Sequence, residues 1–437
     1  MSSRYLALVA AIVLPSCVLL DLFPEEGGGT GGSGGTGMGG ATSTGPTGST
    51  VSTTGAGGSG GVTVEMVTGA SPEAGVGLVR FLDVDVSQSE VVVVGHVRSN
   101  GGAVSLGLPG CGDLVPVPSA FFVARFETSV GACTKLDLYD AAAFSPPLTG
   151  SIVHTGNGVV VAVSDSGSTE ISRVEPGGTK VSLLSSPFGG VVTTDLAACG
   201  QNVYAGGQIA RSAPNACLPE GAETNDADAW LAQIVEESNC TSVPLEHTEP
   251  GTAAQRVVSV ACEGNRVGAT VATLSNLSVN GMSFGGSSSN SLYQEVLPSI
   301  TSFALGDFTC DGSPPYELIP PRVVFAPGAN DWMFGPLCGD LVAWRRNQGN
   351  WAVTSVTPRP AFFDKPSIAL GPGFLLFGGE YYDESEGAPP WRSSVLTGVV
   401  GGVDDSGAIQ FTLDVVGGGA QGDTEVTGMA TDPTRTT

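Results

Sequence analysis

Lysine is nearly missing from this sequence: Lys135, Lys180 and Lys365 are its three copies in 437 residues, and the arginines are scattered. Neutralising phosphates takes clustered Lys and Arg, and the formal net charge is −25. That balance speaks against nucleic acid or anionic headgroups as partners; solubility is the plain reading of the acidity. Histidine is almost as scarce, with His96, His154 and His247 alone. There is no CxxC pair, so a thiolate or imidazole metal cluster lacks ligands. No G-x-S-x-G stretch occurs, which leaves a hydrolase triad without an anchor. Long windows of 3.6-residue periodicity are absent too. Short apolar runs of Val, Thr and Ser among 65 glycines point instead to strands and turns. An apolar fraction of 41% suffices for a core and argues against disorder throughout. The folded part reads as all-β.

The first sixty residues stand apart. "MSSRYLALVAAIVLPSCVLL" has one Arg followed by an apolar run, the layout of an export leader. The run is short for a membrane span of about 20 residues. Leu14-Pro15-Ser16-Cys17 resembles the lipobox of bacterial lipoproteins, although Pro15 departs from the usual small or aliphatic residue. The resemblance implies cleavage before Cys17 and lipidation of that cysteine. Val18 behind it implies sorting to the outer membrane of a Gram-negative cell. An ordinary secretory leader with an incidental Cys is the competing reading. Residues 27–61 then carry no charge and almost no large side chain. Such a segment cannot offset the entropy of ordering, and as a coil it reaches on the order of 30 Å. The division is therefore a leader over 1–16, a lipid anchor and disordered Gly/Ser/Thr linker over 17–61, and a folded body over 62–437.

Within the body one pattern recurs. "SQSEVVVVGHV" (87–97), "CGQNVYAGGQI" (199–209), "CEGNRVGATVA" (262–272) and "GPGFLLFGGEY" (371–381) each turn at Gly, Asn or Ser and run apolar into glycine. "SIVHTGNGVVVAVSDSG" (151–167) and "VVFAPGANDWMFGPL" (323–337) belong to the same series. Behind each hairpin comes an alternating strand with a polar turn, such as "DAWLAQIVEESNC" (228–240). Alternation with turn punctuation is what half-buried antiparallel strands need. The hairpins follow one another at roughly 45–65 residues, the range of four-stranded propeller blades. "VTVEMVTGA" (62–70) and "FTLDVVGGGA" (411–420) resemble one strand written at both ends. A ring closed by pairing the termini is one reading, and a chain that stops early in a further blade is the other. In the copy at 257–312 the third strand is placed near "SITSFAL".

Hairpin, Gly pair, D-x-F/W-hydrophobic-A strand and Gly turn together resemble the bacterial β-propeller repeat family. Asp228-Ala229-Trp230-Leu231-Ala232 and Ala120-Phe121-Phe122-Val123-Ala124-Arg125 carry the match best. The resemblance spans about 62–437. It implies an all-β fold, a β-propeller of about six or seven four-stranded blades behind a Gly/Thr/Ser stalk. It also implies a stalked, secreted lipoprotein, and it brings no catalytic motif.

Eight cysteines remain beyond Cys17, and an even number in an exported chain implies disulfides. Cys111 and Cys133 flank the long loop and third strand of one repeat, and Cys217 and Cys240 flank the same place in another. These make two pairs; Cys199–Cys262 and Cys310–Cys338 remain by elimination. His96 and His154 fall in strands or at their ends, where a packed, hydrogen-bonded role is expected. Asp165-x-Gly167-x-Thr169 is similar to part of an Asp-box turn but reads as a structural β-turn. Asp83-x-Asp85-x-Ser87-x-Ser89 lacks the Gly and terminal Glu of a calcium loop and reads as a strand. Asp404/Asp405 and Glu236/Glu237 read as turn charges, with Ca2+ the minority alternative; otherwise no cofactor is expected. Tyr381, Tyr382 and Trp391 are candidates for stacking on sugar rings or for packing on a blade rim.

A monomeric, envelope-located binding module for protein or polysaccharide is the function these features imply, without enzymatic activity. Specificity is expected in loops 98–118 and 210–227. A propeller glycosidase or lyase, and a structural envelope protein without a discrete ligand, are the alternatives.

Overall fold

The structure, a computed structural model, describes the backbone of 7–14, 16–22, 51–53 and 66–69 and most of residues 77–431. Connections 210–227, 246–254, 308–320, 383–396 and 416–424, and several shorter ones, lie outside the described residues. Each hairpin begins where the chain can reverse cheaply. Gly200 (φ 65°) and Gly264 (φ 61°) supply the positive φ of two-residue loops in which Cys199 opposes Asn202 and Glu263 opposes Arg266. A residue with a Cβ is strained there.

Two further strands follow each hairpin, and the unit is a four-stranded antiparallel sheet. Gly77–Val86, Glu90–Ser99, Ala120–Glu127 and Cys133–Asp140 form the first blade. The second to sixth blades start on the inner strands Thr149–Thr155, Val191–Cys199, Gln255–Glu263, Arg322–Val324 and Phe362–Leu370. Glu425–Thr431 is the inner strand of a seventh sheet, whose other strands are Ala7–Leu14, Ser16–Leu22 and Met66–Gly69. Among the described residues six sheets have four strands, and the sheet of the sixth blade gains a fifth, Val51–Thr53. The expected propeller is the observed fold.

Two details differ from the expectation. In the fourth blade the third strand is Asn290–Leu297, and Thr301–Asp307 is the fourth and outermost. The resemblance of 62–70 to 411–420 misplaces the closing strand: Ile409–Val415 is the fourth strand of the sixth blade, and Glu425–Thr431 shares a sheet with Met66–Gly69. Sequence likeness selects strands of the same type, while closure depends on which strand packs between the first and sixth blades. Ala430 joins the buried cluster of the first blade, and a Cβ on Gly378 of the sixth would run into Val426 and Met429. Cleavage before Cys17 would take Ala7–Leu14 out of this sheet, so precursor and processed chain would differ there.

The core lies between blades rather than within them. Leu82, Val92, Val94 and Phe121 of the first blade pack on Ile152, Val159 and Val161 of the second. Tyr293 meets Phe325 edge-on, 6.5 Å between centroids, across the fourth and fifth. Phe334 stacks on Phe377 at 4.8 Å across the fifth and sixth. Burying each large side chain contributes roughly 1.5–3 kcal/mol, gained only when the neighbouring blade is in place. The recurring second-strand glycines serve these contacts. A Cβ on Gly206 would strike Val257 and Val260 of the next blade, and one on Gly268 would strike Phe325 of the next.

Cys111–Cys133 and Cys199–Cys262 are disulfides, as expected, and the second joins the inner strands of adjacent blades. Cys240 is also disulfide-bonded; Cys217, Cys310 and Cys338 lie outside the described residues.

Two measurements check this packing. Gly207 has no room for a Cβ beside the Val192 carbonyl, whereas Gly167 has open space around it. Gly207→Ala should cost more than about 2 kcal/mol in denaturant unfolding, and Gly167→Ala less than about 0.5; equal effects would refute the close approach. Replacing Cys199 and Cys262 together by Ser should cost about 2–4 kcal/mol, with the linked peptide absent from a non-reducing digest.

Candidate functional site in the central channel

The inner strands surround a channel that holds a cavity of about 200 Å³. One residue of each inner strand reaches it at an equivalent place: Asp83, Ser151, Asp195, Ser259, Arg322, Ser367 and Gly428. The position is set by local backbone. Strand register shifts between Phe81 and Asp83, Thr193 and Asp195, Val257 and Ser259, and Asp364 and Ser367. A β-bulge of this kind re-aims the side chain that follows it.

The side chains link each blade to the next. Asp83 Oδ2 accepts from the Ile152 N–H at 3.0 Å, and Ser151 Oγ accepts from Leu196 N–H at 3.2 Å. Asp195 Oδ2 accepts from Val260 N–H at 2.8 Å, and Ser259 Oγ from Val323 N–H at 3.3 Å. In each case the donor directly follows the ring residue of the next blade. Arg322 reaches both ways, donating from Nη1 to the Val258 carbonyl (2.8 Å) and from Nε to the Pro366 carbonyl (3.1 Å). At Gly428 the side chain is missing because Asp83 Oδ1 occupies the place of its Cβ.

Charge is unevenly compensated in this ring. Asp195 Oδ2 lies 3.6 Å from Arg322 Nη1. Among the described residues no cation is paired with Asp83. Ser151 Oγ stands 3.1 Å from Asp83 Oδ2 and 3.5 Å from Asp195 Oδ1, so its one proton serves one carboxylate at a time. Burial, and after it the charge of Asp195, push the Asp83 carboxyl up to about 7, although the N–H groups of Ile152 and Val84 pull the other way. Burial also raises Asp195, opposed by Arg322 and the Val260 N–H. The arrangement can fasten blades, hold a proton near neutrality and face a small polar guest.

A second cluster lies between the first two blades. His154 Nδ1 is 2.9 Å from Asp85 Oδ2 and Nε2 is 3.5 Å from Glu90 Oε1, which also takes Arg125 Nη1 at 2.8 Å. Burial pulls the imidazole down, but the hydrogen bonds to Asp85 and Glu90 prevail and lift it to about 9. A third network, between the fourth and fifth blades, pairs Arg266 and Arg346 with Glu295 and the fully buried Asp331. Arg266 also lies over the Phe325 ring at 4.4 Å.

Most residues singled out in the sequence have structural places. His96 is buried, its Nε2 3.0 Å from Ser119 Oγ, and burial with Arg98 and Arg80 nearby lowers its pKa. Asp165 Oδ1 accepts from Gly167 N–H, Ser168 N–H and Ser168 Oγ, a turn as expected. Asp404 Oδ1 does the same for Ser406 and Ala408. Asp83 and Asp85 lie in a strand. His247, Glu236, Glu237, Trp391 and loop 210–227 lie outside the described residues, as do the side chains of Cys17, Tyr381 and Tyr382. The channel ring escaped the sequence reading. Its signal was present: a polar or small residue followed by an apolar one, in Asp83-Val84, Ser151-Ile152, Asp195-Leu196, Ser259-Val260, Arg322-Val323, Ser367-Ile368 and Gly428-Met429.

Similarity to known proteins is confined to the fold. No protein-family model matches the chain, and no curated protein matches it. Solved structures do. The protein lmo1340 of Listeria monocytogenes is 9% identical over 96% of this chain and 94% of that one, with a TM-score of 0.42. A prolyl endopeptidase is 10% identical over 77% of this chain and 42% of its own, with a TM-score of 0.41. This chain thus spans less than half of that enzyme. U3-55K is 10% identical over 79% of this chain and 99% of its own, with a TM-score of 0.37.

The electrostatics predict opposite pH responses. Asp83 ionises near 7 folded against its ordinary 3.8, so stability falls as pH rises from about 4 to about 7. Asp83→Asn removes that loss and should be more stable than wild type at pH 8, with a ceiling of about 4 kcal/mol. The advantage should vanish near pH 4. His154 is raised to about 9, so its contribution is complete below about 6.5 and lost as pH climbs through about 9. Unfolding curves across pH for wild type, Asp83→Asn and His154→Ala check both; a flat difference between wild type and Asp83→Asn would refute the first.

Proposed function

We propose that this protein is an exported, lipid-anchored propeller that works in the cell envelope as a non-enzymatic binding module for a protein or polysaccharide. The observation that carries the reading is how the channel side chains are used. Asp195, Ser151, Ser259 and Arg322 have their donors and acceptors engaged in joining blades. A rigid ring held this way leaves recognition to the loops, whose sequences differ most between repeats. Export is supported by the disulfides, which form and persist in oxidising compartments. No helix among the described residues is long and apolar enough to cross a membrane. The anchor in this reading is the lipid on Cys17.

A propeller glycosidase is the second reading, and Asp83 with Asp195 favours it. Glycosidases use one protonated and one ionised carboxyl, and Asp83 holds its proton to about 7. Against it stand the backbone N–H bonds both carboxylates already accept.

Metabolic labelling with an alkyne fatty acid separates the cases for location: label should enter wild type and be lost in Cys17→Ala. An unlabelled wild type would sink the anchor. Turnover of aryl glycosides by the purified chain, lost in Asp83→Asn, would replace the binding reading by the hydrolytic one.

A further inference from the structure

We infer that the central channel binds one calcium ion beside Asp83, and that the ion fastens the inner ring at the seam between the first and last blades. Four observations meet there. Asp83 and Asp195 face one another across a single hydroxyl, Ser151 Oγ, at 3.1 and 3.5 Å. Arg322 compensates Asp195 alone, at 3.6 Å, which leaves the ring with one carboxylate more than its cations. Asp83 Oδ1 abuts the one ring position without a side chain, Gly428. Ser367 also lines the cavity; it is 8% exposed, and its Oγ is buried without a hydrogen-bond partner.

That hydroxyl is the independent sign of a guest. Its counterparts Ser151 and Ser259 each accept a backbone N–H from the next blade. A buried hydroxyl left bare costs about 1–3 kcal/mol, so a partner from outside the chain is favoured. The groups offered are carboxylate and hydroxyl oxygens, the set for a hard cation. Calcium suits it better than magnesium, which demands a tight octahedron and dehydrates reluctantly. Among the described residues no three His, Cys, Asp or Glu side chains converge, so water must complete the shell. Affinity should then be that of extracellular calcium modules, about 10⁻⁴–10⁻³ M.

Calorimetric and thermal titration of the purified full chain tests the site. At pH 8, calcium in the millimolar range should raise the unfolding temperature by several degrees, and magnesium at equal concentration by clearly less. Asp83→Asn should fold, since it removes a repelling charge, yet show no calcium-dependent rise. Ser367→Ala should fold and weaken binding several-fold. A wild type that gives neither heat nor a thermal shift overturns the proposal. So does an Asp83→Asn variant that responds like wild type, because the ion would then sit elsewhere, for instance on the surface pair Asp404/Asp405.

Discussion

A side-chain oxygen in one blade takes the backbone N–H of the next, and the rest of the propeller depends on this contact. Four inner strands are the edges of their own sheets, so N–H groups on their outer side have no partner within the blade. Burying such a donor bare costs as much as a lost hydrogen bond. Asp83, Ser151, Asp195 and Ser259 each cover one such group across a blade boundary. At Asp83, Asp195 and Ser259 a bulge disrupts one ladder and re-aims the side chain that links two.

From that ring the packing follows outward. Blades held at fixed spacing press their faces together, and the large side chains are buried in pairs of neighbouring sheets, as in Phe334 on Phe377 and Tyr293 against Phe325. Close approach of sheets is possible because Gly206, Gly268 and Gly378 carry no Cβ where the next blade comes nearest. The Cys199–Cys262 bridge ties two adjacent inner strands at their ends. No blade is complete alone, so stability belongs to the ring.

The ring also concentrates charge. Small polar side chains are needed at the inner positions, because only they reach the neighbouring backbone without filling the channel. Carboxylates meet the need but repel one another, and one arginine does not offset two of them. The displaced ionisation of Asp83 and the bare hydroxyl of Ser367 are consequences of one constraint, the closure of a narrow circle by polar groups. The His154 and Arg266 networks, farther out, pair carboxylates with cations locally.

Several features were legible in the residues themselves. Period-2 alternation and Gly or Asn turns determine strands and hairpins locally, so the six hairpins, the all-β class and the first disulfide could be read directly. Turn roles for Asp165 and Asp404 were equally local, since each carboxylate bonds the backbone two to four residues on. The third strand of the fourth blade was misplaced because "SITSFAL" alternates as well as its neighbour does. Closure by Glu425–Thr431, the convergence of Asp83 with Asp195 and the isolation of Ser367 were decided only in three dimensions. These are relations between residues a whole blade or more apart, fixed by the circle into which the blades pack, and no local pattern along the chain encodes the circumference.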